Sequence, residues 1–600
     1  MPATSEPNFC QCGSLLRPLR CCAMDVATAS PPGSAVLLAP QINDAEQARA
    51  GGRTDEAIGL LQQILELAPW SPAALGVLAR IHQEAGRLAP AATLLGRIVA
   101  IDPNNGPATC DAARVALQRG DISGAVHHAR NAVRLDPMVA DAQHLLGMAM
   151  TEANRPVPGE LHYRRALELA DGRNPRLLAN LAWALKAQGR MAESRALYDE
   201  SLAAAPDELT SLLGYAKMEE AAANLDRAGA LLDRAAAVAP DAPAVILAQA
   251  VVASRQGAAD AALVALARMQ GGDSAGLMEK GRLLDRMGRH DDAFAAWTDG
   301  KARLREVTGQ AYLADYAANQ ANRLGRFFTD ARRRMLPTAP LVPGPQPIFV
   351  LGFPRSGTTL VEQTLTAHPA IAAGDELPLI HDLADLSQQV LQSPLGYPEA
   401  LADLWMGDQA DGLETLRDHY LRKVRGLGIV AAGEAWFTDK MPLNEQHLGL
   451  IGMVFPASPM IHLIRHPLDV VLSVFSNELT HGFYCAYALE SAAHHFALTA
   501  ELVGHYRAIL ALRYLPVRYE DMVENQEATT RRMLGFIGLD FDPACLAFHE
   551  NRRYARTASY AQVTEKLYDR SRYRYKNYLK QLEPVLPILE PVITRLGYVI

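Results

Sequence analysis

The feature that most limits the fold of this chain is a 34-residue period in its first half. Gly52, Gly86 and Gly120 are separated by this interval. Prolines recur at the same interval, at Pro69, Pro103 and Pro137, and again at Pro206 and Pro240. Glycine readily adopts the left-handed backbone that ends a helix at a tight turn, so each period predicts two helices joined by a turn. The turns of later periods are predicted at Asn154, Gly189 and Asn224.

This period of paired helices resembles the tetratricopeptide repeat (TPR). One helix pair cannot bury its apolar face, whereas about seven or eight stacked pairs form a superhelix with a concave groove. We place this superhelix at residues 42–305. The resemblance implies a groove that binds an extended peptide or a partner protein. A purely structural role for the repeats and a nonrepeating helical bundle are the alternatives.

Length and composition indicate a folded chain of several domains. Its 600 residues exceed what one hydrophobic core supports, so we expect two or more domains. Apolar residues make up 49% and charged residues 21%, as in folded soluble proteins. The net charge of −8 gives no sign of nucleic-acid binding, so an anionic cofactor needs local basic residues. No apolar run approaches the roughly 18 residues of a transmembrane helix.

The N-terminal segment is rich in cysteine, with Cys10, Cys12, Cys21 and Cys22 in its first 22 residues. The C-x-C and C-C spacings differ from those of zinc fingers, so no metal site is predicted. We expect residues 1–41 to be a disordered tail, with Met24 as an alternative start. No signal peptide is predicted, and the few other cysteines favour a reducing, cytoplasmic compartment.

A proline-rich stretch separates the repeats from a different kind of sequence. Residues 306–346 are predicted to hold a capping helix and this semi-rigid linker. From residue 347 to residue 600, apolar runs alternate with helical patterns, which is typical of an α/β domain with a central parallel sheet. The predicted fold is therefore an α-helical superhelix followed by an α/β domain.

The α/β domain begins with a candidate phosphate-binding loop. Ile348–Leu351 predicts a buried strand, Gly352–Thr359 a tight loop, and the residues that follow a helix. Backbone N–H groups and the helix dipole at such a junction bind anions. The glycine spacing is that of a P-loop, but Thr358 and Thr359 stand where a nucleoside triphosphatase has Lys-Ser/Thr. The loop therefore favours a nucleotide with a single 5′-side phosphate group over ATP.

Pro354–Thr359 resembles the loop that binds the 5′-phosphosulfate in sulfotransferases, which use 3′-phosphoadenosine 5′-phosphosulfate (PAPS). The resemblance points to tyrosylprotein sulfotransferases and to bacterial sulfotransferases with TPR repeats. It implies that five loop residues bind this end of PAPS, namely Arg355, Ser356, Gly357, Thr358 and Thr359. For this motif alone, a strand–helix turn without a ligand is the alternative.

Two further motifs supply candidate catalytic residues. Tyrosylprotein sulfotransferases have a Gly-Glu-Glu segment whose second carboxylate deprotonates the acceptor, and that carboxylate matches Glu376. Phe437–Pro442 resembles the family's lysine segment, which implies that Lys440 stabilises charge on the leaving oxygen. Leu377 and Pro378 stand where the tyrosine-specific enzymes have Thr-Arg. A solvated loop carboxylate and a surface lysine are the alternatives for these two residues.

Arg465 and Ser473 form a candidate site for the 3′-phosphate. Arg465 follows a predicted strand, and Ser473 lies two turns into a helix that begins near Pro467. Ligands bind at the carboxyl edge of such a sheet. The family holds the 3′-phosphate with an Arg and a Ser at this eight-residue spacing, whereas Asn477 replaces a further arginine of the tyrosylprotein enzymes.

Looser matches near the C-terminus supply the last candidates. Val517–Met522 resembles the segment whose tyrosine lies near the adenine and the 3′-phosphate, which implies a role for Tyr519. A core aromatic residue is the alternative. Residues 558–578 resemble the loop that closes over the cofactor, which implies a role for Ser559. Basic candidates in the same segment are Lys566, Arg570 and Arg574.

Together these motifs indicate a PAPS-dependent sulfotransferase that moves a sulfuryl group to an acceptor hydroxyl and uses its repeats as a substrate or partner platform. Basic side chains supply the positive charge, so no metal is expected. A TPR scaffold with an inactive nucleotide-binding domain is one alternative, and Glu376 and Lys440 weigh against it. A P-loop kinase is another, and Thr358 weighs against it. Protein tyrosine, glycan, lipid and small alcohol all stay open as acceptors.

Overall fold

The computed structural model describes the chain except for residues 1–8, 25–34, 171–173, 270–272, 406–408, 410, 431–434, 480–481, 551–566 and 568. The chain divides into two compact units. The first comprises Met1–Leu283, Asp299–Ala311 and Thr480–Tyr484, and the second comprises Leu284–Thr298, Tyr312–Leu479 and Cys485–Ile600. No helix in the described part of the chain is both long enough and apolar enough to cross a membrane.

The first half of the chain is a series of helices joined by short turns. They are α1 Ala35–Ala50, α2 Thr54–Leu67, α3 Pro72–Glu84, α4 Leu88–Ile101, α5 Gly106–Gln118, α6 Ile122–Leu135, α7 Ala140–Glu152, α8 Pro156–Leu169, α9 Pro175–Ala187, α10 Met191–Ala204, α11 Leu209–Ala221, α12 Leu225–Val238, α13 Pro243–Arg255, α14 Ala259–Leu266, α15 Ser274–Arg286 and α16 His290–Thr308. Among the described residues, α1 to α14 pack as consecutive pairs. The helical repeats predicted from the 34-residue period are therefore confirmed.

Left-handed residues lie at the turns inside the helix pairs. Five of the six predicted turn positions have positive φ, and they are Gly52, Gly86, Gly120, Asn154 and Gly189. The prediction for Asn224 is wrong by one residue, because Ala223 has φ +62° and Asn224 directly precedes α12. Ala223 lies 34 residues after Gly189, so the period is kept. It is kept at some cost, since a left-handed backbone is unfavourable by about 1–2 kcal/mol for a residue other than glycine.

Residues 9–24 have a defined structure, whereas the sequence analysis expected a disordered tail over residues 1–41. They contain a short 3₁₀ helix, Pro18–Arg20. Leu16 is 3% exposed and packs in a core with residues of α1 to α4. Arg17 forms an ion pair with Glu66 of α2. Local composition did not reveal this segment, because its contacts are with helices distant in sequence.

The second unit contains a five-stranded sheet. The strands are β1 Gln346–Leu351, β2 Ile371–Ala372, β3 Trp436–Asp439, β4 Met460–Ile464 and β5 Tyr514–Arg518. All neighbouring pairs are parallel, in the order β2-β3-β1-β4-β5. The predicted α/β domain with a central parallel sheet is therefore confirmed.

Helices surround this sheet and connect its strands. They are α17 Ala314–Phe327, α18 Asp330–Arg333, α19 Thr358–Thr366, α20 Leu379–Val390, α21 Gly412–Gly426, α22 Leu448–Val454, α23 Pro467–Phe475, α24 Leu489–Ile509, α25 Tyr519–Glu524, α26 Gln526–Ile537, α27 Leu579–Leu582 and α28 Leu586–Arg595. Short 3₁₀ helices occupy Glu399–Trp405, Pro442–His447, Tyr484–Tyr487, Pro543–Glu550, Arg574–Tyr578 and Glu583–Val585.

The central strand β1 lies between two apolar layers. Every residue from Pro347 to Leu351 is buried, as expected where helices cover both faces of a parallel sheet. Phe349 and Leu351 pack in one core cluster, and Ile348 and Val350 pack in another. Successive side chains of a strand point to opposite faces, so this short run joins both cores. It thereby holds the loop after β1 in a rigid frame.

Residues 284–298 pack within the second unit, although the sequence period extends the repeats to residue 305. Trp297 is 1% exposed, and its ring centre lies 5.7 Å from that of Tyr578. The ring of Phe294 lies 5.2 Å from that of Phe475 on α23. These large buried aromatic contacts make residues 284–298 part of the C-terminal core.

Candidate functional site

The carboxyl ends of the parallel strands lie at one edge of the sheet, and predicted site residues follow each of them. The loop after β1 carries Arg355–Thr359, and the segments after β2 and β3 carry Glu376 and Lys440. Arg465 follows β4, and Tyr519 follows β5. The fold therefore brings five sequence motifs, spread over more than 160 residues, to the edge at which α/β sheets bind ligands.

The loop after β1 requires glycine at two positions. A Cβ on Gly352, where φ is +146°, would lie 2.8 Å from the carbonyl oxygen of Leu463 on β4. A Cβ on Gly357, where φ is +108°, would lie 2.7 Å from the Tyr519 ring. Gly357 directly precedes α19, whose first N–H groups have no acceptor within the helix. The loop thus passes closely between β4 and Tyr519 and ends at a helix N-terminus, an arrangement that suits an anion.

Two arginines meet beside this loop. Arg355 Nε donates a hydrogen bond to Ser473 Oγ over 3.2 Å. The Arg465 guanidinium donates to the Arg355 carbonyl oxygen over 3.1 Å and lies 4.6 Å from the centre of the Tyr519 ring. It also lies 3.6 Å from a carboxylate oxygen of Asp469. Four of the predicted cofactor residues therefore form a chain of contacts that runs from Ser473 through Arg355 and Arg465 to Tyr519.

Two buried polar atoms at this edge fit an anionic ligand. Ser356 is 1% exposed, and Arg465 is 8% exposed. Within the part of the chain that the structure describes, neither Ser356 Oγ nor Arg465 Nε has a hydrogen-bond partner. A buried polar group without a partner costs about 1–3 kcal/mol. Phosphate oxygens are strong acceptors for both hydroxyl and guanidinium donors, so the residues present fit a phosphate-bearing cofactor.

Lys440 lies between two carboxylates. Its Nζ is 2.7 Å from Glu376 Oε1 and 4.0 Å from Glu362 Oε2. The side chains of Lys440 and Glu362 are fully buried, whereas the Glu376 side chain is 34% exposed. Lys440 therefore holds Glu376 in place while leaving part of that carboxylate accessible. A positioned carboxylate beside a buried cation can accept a proton from a hydroxyl and stabilise negative charge nearby.

A close approach of two backbones positions Glu376. A Cβ on Gly374 would lie 1.9 Å from the carbonyl oxygen of Thr438, so only glycine fits there. The Gly374 N–H donates to Thr438 Oγ1 over 3.0 Å, and the Lys440 N–H donates to the Asp375 carbonyl oxygen over 3.0 Å. These bonds fasten the segment after β2 to the end of β3. They bring two motifs that are 64 residues apart within hydrogen-bonding distance.

Glu362 on α19 is a site residue that the sequence analysis missed. Its Oε1 accepts hydrogen bonds from Thr438 Oγ1 over 2.9 Å and from the Asp375 N–H over 3.0 Å. Its other carboxylate oxygen faces Lys440. Glu362 thus helps to hold the Lys440–Glu376 pair in position, through its contacts with Lys440 and with the backbone of Asp375. The sequence signal was a single carboxylate among apolar and hydroxyl residues of a helix.

Asp439, next to Lys440, is also buried. Its carboxylate oxygens accept hydrogen bonds from the Tyr420 hydroxyl over 2.7 Å and from Asn444 Nδ2 over 3.2 Å. Burial outweighs these bonds and raises the pKa of Asp439 to about 7. No role for Asp439 was predicted from the sequence. It belongs to the structural support of β3 rather than to the accessible surface of the site.

Part of the C-terminal segment is fastened beside Arg465. The backbone N–H groups of Tyr573 and Tyr575 donate to the two carboxylate oxygens of Asp469 on α23, over 2.7 and 2.8 Å. The Arg465 guanidinium donates to the carbonyl oxygen of Ser571. The described part of this segment therefore borders the candidate 3′-phosphate residue Arg465.

The structure describes only some of the residues that were predicted to close over the cofactor. Ser559 and Lys566 lie outside the described residues. Arg574 forms an ion pair of 3.1 Å with Asp285, and its guanidinium carbon lies 5.3 Å from the ring centre of Trp297. Arg574 is thus engaged with residues 284–298 rather than with Arg465, and Arg570 stays a prediction.

Comparison with known proteins agrees with this architecture. A model of the sulfotransferase family matches residues 347–543. Tetratricopeptide repeat models match residues 48–108, 110–174 and 175–208. The C-terminal region is therefore a sulfotransferase-family domain, preceded by tetratricopeptide repeats. The predicted resemblance to TPR-containing sulfotransferases, with a domain similar to that of tyrosylprotein sulfotransferases, is confirmed.

The curated relatives match only part of the chain. Protein-tyrosine sulfotransferase 1 of Danio rerio is 26% identical over 34% of this chain and 56% of its own length. Nodulation protein NoeE of Sinorhizobium fredii is 29% identical over 36% of this chain and 56% of its own length. An uncharacterized Aquifex aeolicus protein is 31% identical over 41% of this chain and 33% of its own length. The chain thus spans between a third and about half of these relatives.

Among solved structures, the sulfotransferase domain from the Synechococcus PCC 7002 olefin synthase is 26% identical, covers 40% of this chain and 90% of its own chain, and has a TM-score of 0.29. The thermophilic TPR protein TTC0263 from Thermus thermophilus is 26% identical and covers 30% of this chain and 97% of its own chain, with a TM-score of 0.26.

Proposed function

We propose that this protein transfers a sulfuryl group from PAPS to an acceptor hydroxyl. The observation that carries the proposal is the convergence of Glu376, Lys440 and the Arg355–Arg465 pair at one edge of the sheet. Membership of the domain in the sulfotransferase family supports the reaction class. The relatives named protein-tyrosine sulfotransferase support an oxygen acceptor.

The residues that hold the phosphates fall into two groups. The N-terminus of α19, with Ser356, Thr358 and Thr359, binds the 5′-phosphosulfate through backbone N–H and hydroxyl donors. Arg465 and Ser473 bind the 3′-phosphate. Arg355 lies between the groups, since it contacts Ser473 by its side chain and Arg465 by its carbonyl oxygen. Tyr519 packs against Gly357 and below Arg465, where it keeps both in position.

The catalytic roles fall to Glu376 and Lys440. When bound, PAPS supplies an activated sulfuryl group attached to a phosphate leaving group. Glu376, whose side chain is 34% exposed, accepts the proton of the acceptor hydroxyl at its carboxylate. Lys440 would supply a buried positive charge to the departing phosphate, and Glu362 keeps that ammonium group in place. Arg355 adds a second positive charge, so Lys440 and Arg355 together would stabilise the departing phosphate.

The repeats serve as a platform for the acceptor or for a partner protein. A cavity of about 380 Å³ lies among α5, α7 and α9. Its lining combines apolar side chains such as Leu145 and Met148 with the charged Arg114, Asp141 and Arg176. A mixed lining of this kind suits the side chains of an extended peptide. The Leu377–Pro378 pair in place of Thr-Arg leaves glycan, lipid and small-alcohol acceptors beside tyrosine.

The test is to incubate the full-length chain with radiolabelled PAPS and a cell extract and to identify the labelled product. We expect label on a hydroxyl-bearing acceptor with the native protein and a strongly reduced amount with Glu376→Gln. Tight binding of 3′-phosphoadenosine 5′-phosphate together with no label transfer in any extract would contradict the proposal. It would instead favour a TPR scaffold with an inactive nucleotide-binding domain. Fractionation of the source cells, with this protein detected in each fraction, would test the cytoplasmic location that we propose.

A further inference from the structure

Four cysteines of the N-terminal segment converge on one point, and no step of the proposed sulfuryl transfer uses them. The Sγ atoms of Cys10, Cys12, Cys21 and Cys22 all lie within 4.8 Å of one another. Cys12 Sγ and Cys21 Sγ are 3.4 Å apart, and Cys21 Sγ and Cys22 Sγ are 3.9 Å apart. We propose that these four cysteines bind one Zn²⁺ ion in a structural site that closes the N-terminal end of the repeats.

The distances match the geometry of zinc. Structural zinc sites are tetrahedral, with a Zn–S distance of about 2.3 Å, which places neighbouring sulfurs roughly 3.8 Å apart. The sulfur–sulfur distances of 3.4 Å for Cys12–Cys21 and 3.9 Å for Cys21–Cys22 lie on either side of that value. A disulfide requires two sulfurs at about 2.05 Å and leaves the other pair independent. Convergence of all four thiols on one volume is what a shared ion requires and what two disulfides do not.

The backbone around the cysteines is folded to present them together. The Cys10 N–H donates to the Leu16 carbonyl oxygen over 2.7 Å, and the Gly13 N–H donates to the Cys10 carbonyl oxygen over 3.1 Å. Gly13 and Leu15 both have positive φ, at +75° and +62°. The resulting turn reverses the chain between the C-x-C pair and the C-C pair. This reversal is why a spacing that differs from zinc fingers still produces a four-thiol cluster.

The cluster is anchored on the first repeats. Cys10, Leu16 and Cys21 are buried in a core that includes residues of α1 to α4. Gln62 Nε2 donates to the Leu15 carbonyl oxygen over 2.8 Å. A described segment of 16 residues, with Leu16 as its one buried large aliphatic side chain, buries little apolar surface of its own. Small elements of this kind usually need a metal or a disulfide to stay folded, and terminal repeats need a cap.

A buried cation compensates the charge of such a site. Four thiolates and Zn²⁺ carry two net negative charges, since each thiol releases its proton to solvent when it binds the ion. Arg97 on α4 is 8% exposed and donates to the Arg20 carbonyl oxygen over 2.6 Å and to the Met24 sulfur over 3.1 Å. Its guanidinium therefore lies directly against the cysteine segment. The positive charge of Arg97 would therefore offset part of the negative charge of the Zn²⁺–thiolate site.

The experiment uses the full-length chain, purified under reducing conditions, freed of metal with a chelator and titrated with Zn²⁺ and with Co²⁺ as a spectroscopic probe. We expect one equivalent of Zn²⁺ per chain and the absorption of tetrahedral cobalt bound by thiolates. Replacing any of the four cysteines by serine should weaken Zn²⁺ binding by at least about tenfold. Cys110→Ser is the matched control, because Cys110 is a buried cysteine of α5 outside the cluster.

A second measurement keeps the test valid if a serine variant folds poorly. Trypsin should cleave the native chain after Arg20 once the chelator is present, and added Zn²⁺ should restore protection. Three results would overturn the proposal: no thiolate-type cobalt spectrum, equal loss of binding in Cys110→Ser, or tryptic protection that does not respond to Zn²⁺. Quantitative Cys–Cys disulfides that persist after metal is supplied under mild reduction would do the same and would assign the cluster to disulfide bonding.

Discussion

Replacement of Glu376 by glutamine is the most direct test of the proposed chemistry. Glutamine keeps the size of the side chain and removes its basicity. In the native chain, Glu376 Oε1 lies 2.7 Å from Lys440 Nζ, and the fully buried Glu362 lies 4.0 Å from the same nitrogen. The variant therefore still leaves Lys440 with one carboxylate neighbour. The site should keep its shape, and the change should act mainly on proton transfer.

Two energies set the expected size of the effect. A positioned general base contributes about two to four powers of ten to turnover, which corresponds to about 3–5 kcal/mol of activation free energy. The lost ion pair should lower the free energy of unfolding by only about 1 kcal/mol, because the Glu376 side chain is 34% exposed and solvent screens the pair. Activity should thus fall far more than stability, and affinity for 3′-phosphoadenosine 5′-phosphate should stay nearly unchanged.

The assay is the initial rate of label transfer from PAPS to the identified acceptor, with calorimetry for nucleotide affinity. Asp375→Asn is the matched control, because the contacts of Asp375 with Glu362 and Lys440 run through its backbone and survive the change. Turnover in Glu376→Gln within tenfold of native would refute the assignment of Glu376 as the base. A larger loss in Asp375→Asn than in Glu376→Gln would shift the assignment by one residue.

Three further predictions concern the cofactor, the core and pH. Arg465→Ala should weaken binding of 3′-phosphoadenosine 5′-phosphate by about 2 kcal/mol in calorimetry but affect an analogue without the 3′-phosphate much less, and an equal loss for both would place Arg465 elsewhere. Deleting residues 1–283 should leave the C-terminal unit folded. Deleting residues 1–305 should lower the thermal midpoint of that unit, because it removes the buried Trp297 at a cost of about 3 kcal/mol or more in the free energy of unfolding. Equal thermal midpoints for the two truncated chains would contradict this expectation. Asp439 has a folded-state pKa of about 7, above its unfolded value of about 3.9, so its contribution to stability is complete below pH ~4 and is lost as the pH rises through about 7. The free energy of unfolding in urea, measured from pH 4 to 8, should decline in this way in the native chain and decline less in Asp439→Asn. An identical pH dependence of that free energy in the two chains would refute the assignment.

Much of the site could be predicted from the chain because its groups stand at recognisable strand ends. A strand, a glycine loop and a helix form a local unit, and Arg465 and Ser473 are placed by a strand and the helix that follows it. Glu362 escaped prediction because nothing near it in sequence shows that Thr438, Asp375 and Lys440 surround its carboxylate. Its role depends on β3 lying beside β1, a pairing of residues about 90 positions apart.

The same division holds for the rest of the molecule. Amino-acid sequence alone determined the helical repeats, because a 34-residue period repeats a local structure that each segment encodes for itself. It also determined that the motifs meet at one edge of the sheet, because parallel strands end on the same side, whereas the strand order β2-β3-β1-β4-β5 came only from the structure. Only the tertiary structure decided which unit residues 284–298 join, since aromatic packing against Tyr578 and Phe475 outweighs the period there. It likewise decided that four N-terminal thiols converge, because turns at Gly13 and Leu15 and the surface of α1 to α4 bring together cysteines whose spacing follows no familiar pattern.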